Sequence, residues 1–417
     1  MKQYHSFIFD SYDIDPAHGQ IVLRYSLDDS MHFSETISIP TPQSQPCSQS
    51  QPQSSALKHA LSALHLFGGI SYYKTFCPKN IEVRTGALTP AQADFWNTVY
   101  TKGLGEFFYR NAIDHRGLIQ FPATGSGTVR TNREETEHEP TCKRVLLPLG
   151  GGKDSIVTLE MLRKSNADIT LLRMNAHPLI TKMAEVTGLP LLTVERRLAP
   201  ELFELNAQGA LNGHVPITGY LSALTTVVAL IHGFDTIAMS NEKSANEGNT
   251  EYLGTTVNHQ WSKSEEFERM FRSYLAQHIT QDVHFINPLR TMTELEIVGE
   301  FVQYPQYFAH FTSCNRNWKL LGNQPQERWC RQCPKCAFAF VLLAAYLPRQ
   351  QLEEIFGGNL FADASLVPLY KQLLGLEGCK PFECVGTAEE TREAFRLAHE
   401  RGEYEDTPAM QLYLSIK

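Results

Sequence analysis

Leu147-Pro148-Leu149 runs directly into Gly150-Gly151-Gly152-Lys153-Asp154-Ser155, and the chain then takes up a helical pattern with Ile156, Leu159 and Leu162 on one face. A strand that stops in three glycines and restarts as a helix restricts the possible folds more than any other feature of this chain. Glycines have no Cβ, so backbone N–H groups can close around an anion while the positive end of the helix dipole faces it. Lys153 adds a charge that neutralises phosphate, and Ser155 adds a hydroxyl donor. Asp154, between the Lys and the Ser, sets the loop apart from the mononucleotide P-loop pattern. A plain glycine turn capped by Asp154 leaves the whole arrangement of strand, three glycines, Lys-Asp-Ser and helix unexplained.

The alternation continues downstream. Val145–Leu149, Ile169–Met174, Pro190–Glu195, Thr236–Ser240 and His284–Asn287 read as strands, and Ser155–Lys164, Pro216–His232 and Thr293–Gln303 as helices. Strand–helix alternation predicts an α/β fold with a doubly wound, mainly parallel sheet covered on both faces, and ligands beyond the carboxyl ends of its strands. Residues 1–121 read differently, as an N-terminal α+β region. Phe7, Phe9, Ile21, Leu23, Tyr25, Phe33, Ile37 and Ile39 alternate as in an antiparallel meander, broken by a turn at Asp15–Gly19. A helical spacing near Ala56–Leu66, a strand-like stretch over Tyr72–Val83 and a helix start at Thr89-Pro90 follow. Residues 41–55 and 122–142 are too polar to bury a core and read as linkers, so the expected divisions are 1–121, 143–310 and 311–417. The last of these is a helical region rich in cysteine.

Function classes fall away on charge and hydropathy. With 37 Lys+Arg against 45 Asp+Glu the net charge is −8, which gives no general pull toward nucleic acid, and none is expected as a partner. Apolar stretches such as Val341–Ala345 are far shorter than the roughly 18 residues of a membrane span. The N-terminus meets charge too early for a secretory signal, and the cysteines are spaced as ligands rather than as a disulfide ladder, so a cytoplasmic location is expected with no membrane partner.

Cys314 and then Cys330-Arg331-Gln332-Cys333-Pro334-Lys335-Cys336 offer four thiolates, the set that tetrahedral zinc prefers. A structural zinc site is one reading, and a thiol cluster at an active site is the other. Three polar clusters complete the inventory: Asn212–Thr218 before an apolar helix, Ser240–Asn249 after a strand, and Asn258–Ser264 before an acidic helix. Any single Asn or Ser in them could serve a turn or a cap, but their density suits a polar ligand with several functional groups. Glu242 suits the Mg²⁺ side of a nucleotide or a substrate amine.

The glycine loop resembles that of the PP-loop ATP pyrophosphatases, whose motif is Ser-Gly-Gly-x-Asp-Ser; Gly150 stands where the usual Ser would be. That resemblance implies a PP-loop fold over 143–310, ATP cleaved between its α and β phosphates, and Mg²⁺ beside it. It carries over Gly151, Gly152, Lys153, Asp154 and Ser155 as the pyrophosphate loop; Gly150 beside them, and Ser240, Asn241 and Glu242 at a strand's carboxyl end, are the further candidates at the nucleotide. Some PP-loop enzymes that build a nitrile on deazaguanine carry a similar cysteine cluster.

A narrower resemblance covers nearly the whole chain outside the linkers. Gly68-Gly69-Ile70-Ser71-Tyr72-Tyr73-Lys74, Gly103-Leu104-Gly105-Glu106-Phe107, the glycine loop and the three polar clusters take part in it. So do Ser313–Asn317, the cysteine cluster and Lys380–Thr387. Together they are similar to the UDP-N-acetylmuramoyl-L-alanyl-L-glutamate epimerases of bacterial cell-wall synthesis. The resemblance implies a UDP-muramoyl dipeptide as substrate and explains an ATP loop in an enzyme that inverts a stereocentre. The α-proton of a free glutamate carboxylate is scarcely acidic, and adenylating that carboxylate makes the enolate accessible to a base on one face and an acid on the other. His177, His214, His259, Cys314 and Cys384 are the candidate acid and base, with His214, His259 and Cys384 in front. Asn212, Lys243, Asn246, Asn258, Lys263 and Arg316 are the candidates for substrate contact. The N-terminal region is expected to close over the muramoyl or uridine end. Two rivals remain at this point: a PP-loop ligase or nucleobase-modifying enzyme, which the cysteine cluster favours, and a nucleotide sensor, which the intact Lys153, Asp154 and Ser155 disfavour.

Overall fold

The computed structural model describes residues 3–42, 55–125, 143–318 and 327–417. Most of the two expected linkers, 43–54 and 126–142, therefore lies outside the described residues. The strands are β1 (Ser6–Asp15), β2 (Gln20–Leu27), β3 (Met31–Ser38), β4 (Asn80–Val83), β5 (Arg144–Pro148), β6 (Asp168–Met174), β7 (Leu191–Arg197), β8 (Thr236–Ala238), β9 (Thr250–Tyr252), β10 (Thr255–Val257) and β11 (His284–Ile286). Nine of them form one sheet in the order β11-β8-β5-β6-β7-β3-β2-β1-β4, and β9 pairs with β10 alone.

From β11 to β7 every pairing is parallel. Ranked by position in the chain, β7-β6-β5-β8-β11 is the doubly wound order 3-2-1-4-5, which reverses direction between β5 and β8. The meander β1-β2-β3 is antiparallel as its alternation requires, and its last strand continues the same sheet, with Ile37 opposite Arg196 on β7. That junction is held by a buried network. Arg196 donates to both carboxylate oxygens of Glu35 at 2.8 and 3.0 Å, and the hydroxyls of Tyr72 and Tyr220 donate to the same carboxylate at 3.0 and 3.1 Å.

Helices cover both faces. Leu146, Leu172 and Ile237 point into one apolar core with the helices Ser55–Tyr73 and Ile217–His232, while Val145, Leu147 and Leu171 point into another with Lys153–Lys164, Glu294–Phe301 and Pro334–Ala344. Adjacent residues of one strand feeding opposite cores is the period-2 signature of a sheet buried on both sides.

The Tyr72–Val83 stretch is not the strand expected. The helix from Ser55 runs through Tyr73, and only Asn80–Val83 is extended. Aromatic residues look strand-like in a short window, but here Tyr72 and Tyr73 close the last turn of a helix buried against β1 and β2. The Gly68-Gly69 pair makes that approach possible, since a Cβ on Gly69 would lie 2.3 Å from the ring of Phe9. The helix over Pro90–Gly103 starts as expected, with Thr89 and Gln92 forming a reciprocal cap.

Candidate active site

The glycine loop lies at the carboxyl end of β5, and Ser240–Glu242 follows the carboxyl end of β8, so the two flank the point where the strand order reverses. Gly151 has φ +77°, a conformation that side chains disfavour, and Gly152 caps the following helix without any side-chain bond to its first N–H groups. Those amides are the ones an anion would take. Thr312 N–H donates to Gly151 O at 2.9 Å and braces the loop from the segment that leads into Cys314.

Lys153 is buried and donates to both Asp154 and Glu294. Burial opposes its charge, but the two carboxylates outweigh it and hold the ammonium above the ordinary lysine range. Burial pushes Glu294 up to about 8, with Lys153 opposing and Asp154 and Glu242 adding to the rise. Glu242 is 2% exposed, and its Oε2 has no hydrogen-bond partner. Its backbone is fixed, because Arg290 donates to Glu242 O at 3.0 Å and Asn287 exchanges two bonds with Asn241. Two buried carboxylates, one with an orphaned oxygen, and the half-buried Asp154 beside a helix N-terminus fit a divalent cation with a polyphosphate.

A second group of side chains lies across Lys263. Cys384 and His259 are hydrogen-bonded, and His259 Nδ1 bonds to Glu106 on the helix Gly105–Arg110. His214 Nδ1 is 3.4 Å from the same Glu106 oxygen, and the two imidazole rings are 4.5 Å apart. Backbone contacts bring these pieces together. Asn249 donates to Lys380 O and Pro381 O at 3.2 and 2.9 Å and accepts from His259 N–H at 2.8 Å, while Gln260 donates to Val385 O. Burial alone would raise the Cys384 thiol, but Lys263, Lys335 and His259 pull it down to about 6. Burial disfavours His259 as a cation, yet its bonds to Cys384 and Glu106 push it up to about 9. His214, buried and beside the charged His259, falls to about 3. Neighbouring groups pushed apart in this way form a thiolate–imidazolium pair next to a neutral imidazole, the division of labour that acid–base catalysis needs.

Cys314, Cys330, Cys333 and Cys336 meet as one cluster, with sulfurs all within 4.8 Å and with separations of 3.9, 3.8 and 3.5 Å for three of the pairs. Tetrahedral zinc, with Zn–S of about 2.3 Å, asks for sulfurs about 3.8 Å apart, so the thiols fit the ion. The purified protein should hold about one equivalent of zinc. Cys333→Ser should cost on the order of several kcal/mol of stability, read by elemental analysis and thermal denaturation. Full stability without metal would contradict that fit. The cluster is not remote from the chemistry: Lys335, between two of its cysteines, acts on both Asp154 and Cys384, and its backbone N–H bonds Glu383.

A family model described as the MurL N-terminal domain matches residues 1–287, and one described as the MurL C-terminal domain matches 310–415. The chain belongs to the MurL family. Relatives named UDP-N-acetyl-alpha-D-muramoyl-L-alanyl-L-glutamate epimerase include one from Xanthomonas oryzae pv. oryzae, 38% identical over 99% of this chain and 90% of its own. A second, from Micromonospora sp., is 39% identical over 99% and 90%, and a third, from Salinispora tropica, 38% over 98% and 88%.

In this MurL-family chain the expected residues divide. His214, His259, Cys384 and Lys263 gather around the thiolate, and Gly150–Ser155 with Ser240–Glu242 around the switch point. Asn212 receives a bond from Lys74, whereas Asn258 holds the loop by bonding Ala245 O and Gln260 N. Lys243, Asn246 and Arg316 are exposed; Asn246 caps Glu265 N–H, and Arg316 donates to Gln332 at 3.2 Å. His177 caps the helix Pro178–Thr187 and bonds Asn317 O, a scaffold position. Four residues beside these groups carried no expected role: Lys74, Glu106, Glu294 and Lys335. Among the described residues no helix is long and apolar enough to cross a membrane.

Proposed function

We propose that this protein inverts the terminal L-glutamate of UDP-N-acetylmuramoyl-L-alanyl-L-glutamate to D-glutamate, using ATP to activate the glutamate carboxylate. The observation that carries this reading is the position of Lys263, which acts on Cys384, Glu242, Asp154 and Glu294 at once. A half-buried cation that faces both the thiolate and the loop carboxylates brings activation and proton transfer to neighbouring groups. The names of the near-full-length relatives supply the substrate, and the doubly wound sheet with its glycine loop supports a PP-loop ATP site.

Within that reading the loop amides and Lys153 would hold the phosphates, and Asp154, Glu242 and Glu294 would hold Mg²⁺, which would screen the phosphate charge. Lys263 orients the carboxylate toward the α-phosphorus. The carboxylate oxygen attacks the α-phosphorus and diphosphate leaves; neutral His214 then takes the α-proton of the acyl adenylate from one face. The Cys384–His259 pair, which shares one proton, returns it to the opposite face through the sulfur. His214 then carries the extra proton beside a neutral His259, and Glu106, hydrogen-bonded or close to both rings, favours its passage back. Hydrolysis releases AMP and the D-glutamate product.

Incubating the protein with ATP, Mg²⁺ and the L,L-dipeptide nucleotide, with and without ammonia, tests this. The expected result is D-glutamate, AMP and diphosphate in both cases. An amide that forms only with ammonia would replace this reading with a ligase.

A further inference from the structure

Lys74 follows the helix Ser55–Tyr73, is 4% exposed, and has no carboxylate partner among the described residues. Its ammonium donates to Asn212 Oδ1, a neutral oxygen that already accepts from Gly213 N–H at 2.8 Å. Asn212 itself is exposed, so the ammonium stands at a mouth rather than inside a sealed core. Burial lowers Lys74 to about 8, which measures how poorly the protein alone compensates its charge. An uncompensated buried lysine is costly to fold around, and it persists where an anion arrives to pair with it. Two further features point into the same place. Lys74 and Arg110 both act on His214, and Asn111 donates to Asn212 O at 3.5 Å. Arg110 is itself taken up by Glu106 at 2.6 Å and by the ring of Phe382, whereas Lys74 has only the neutral Asn212 as a side-chain partner among the described residues.

We infer that Lys74 is the counter-ion for the side-chain carboxylate of the substrate's glutamate, the one that is not adenylated. The inference rests on the function proposed above. Glutamate offers two carboxylates of similar chemistry, and only the one on the inverted carbon gains from activation. Neighbour follows neighbour from the loop to Lys74: Lys263 interacts with Asp154 and Cys384, Cys384 bonds His259, the ring of His259 lies 4.5 Å from that of His214, and Lys74 bonds Asn212, two residues from His214. With the α-carbon at His214 and Cys384 and its carboxylate at Lys263, the side chain of two methylenes would reach toward Lys74, the cation at the other end of that succession. Lys74 there fixes which carboxylate meets ATP.

The test compares wild type, Lys74→Met and Lys74→Arg on nucleotide dipeptides ending in L-Glu or in L-Gln. Lys74→Met should lower kcat/KM for the Glu substrate on the order of 10²-fold, chiefly through KM, because a buried charge pair loses one partner. On the Gln substrate, which lacks the charge, wild type and Lys74→Met should agree within about threefold. Lys74→Arg should keep the preference for Glu. Ligand-free Lys74→Met should melt no lower than wild type, since the change removes an unpaired buried charge. Equal losses on both substrates, undiminished turnover of the Glu substrate, or a drop of several degrees in Tm would overturn the role of Lys74 while leaving the reaction standing. A wild-type protein that epimerises neither substrate would instead remove the proposed reaction, and this inference with it.

Discussion

Cys384→Ala should reduce epimerisation by about 10²- to 10⁴-fold, the usual worth of a positioned acid–base group. Net inversion fails because no proton returns on the sulfur face, but His214 still exchanges the α-proton on its own face. The variant should therefore wash deuterium into one enantiomer of the substrate without inverting it, and His214→Ala should do so with the other enantiomer. Cys384 alkylation gives the pH dependence. The thiol is held down to about 6, so the reactive thiolate is present above that pH, and His259, raised to about 9, keeps its proton below that one. Iodoacetamide should label Cys384 with a rate that rises through about pH 6, and turnover should be confined to the window between the two values. A labelling midpoint near the ordinary thiol value of about 8.5 would show that Lys263, Lys335 and His259 do not act on the sulfur as the geometry requires.

Lys153→Met and Asp154→Asn should each cost on the order of 10²- to 10³-fold in AMP and diphosphate formation, the scale seen when one preorganised electrostatic partner is removed. Lys153 is also the counter-charge of Glu294, so its loss leaves a buried carboxylate, which takes up a proton instead of remaining charged. Asp154→Asn keeps the shape and leaves Lys153 paired with Glu294, which makes it the cleaner probe of the loop. Circular dichroism on both variants separates loss of chemistry from loss of fold. Wild-type ATP consumption by either variant would remove the nucleotide from this loop.

Much of the parallel half of the sheet could be read in the chain, because β-branched and leucine runs at a strand's length, separated by helical spacing, admit few other folds. The glycine loop was legible for the same reason, since three glycines between strand and helix answer a local steric demand. The titratable cluster proposed as the acid–base centre was legible only in part. His214, His259 and Cys384 stood out as titratable groups in polar clusters, but their charges depend on neighbours far away in the chain. Glu106 is 153 residues from the His259 it binds. Glu294 was hidden in an ordinary helix start beside Thr293, and Lys335 among cysteines that drew attention to metal. Lys74 closes an apolar helix, where a solvated end is the ordinary reading; only the fold reveals that it is buried with no carboxylate partner among the described residues. The N-terminal region was expected to cover the substrate. What it supplies is Glu106 beside His259 and Lys74 beside Asn212, which gives a physical reason for the meander to share a sheet with the parallel strands.

The most direct test of adenylation followed by proton transfer is turnover in D₂O, with the α-carbon of the product glutamate read by mass spectrometry or NMR. The account predicts deuterium at that carbon in the D-product, appearing only when ATP and Mg²⁺ are both present, because the free carboxylate is too weak an acid to lose the proton unaided. Inversion without solvent deuterium, or at full rate with ATP omitted, would contradict it.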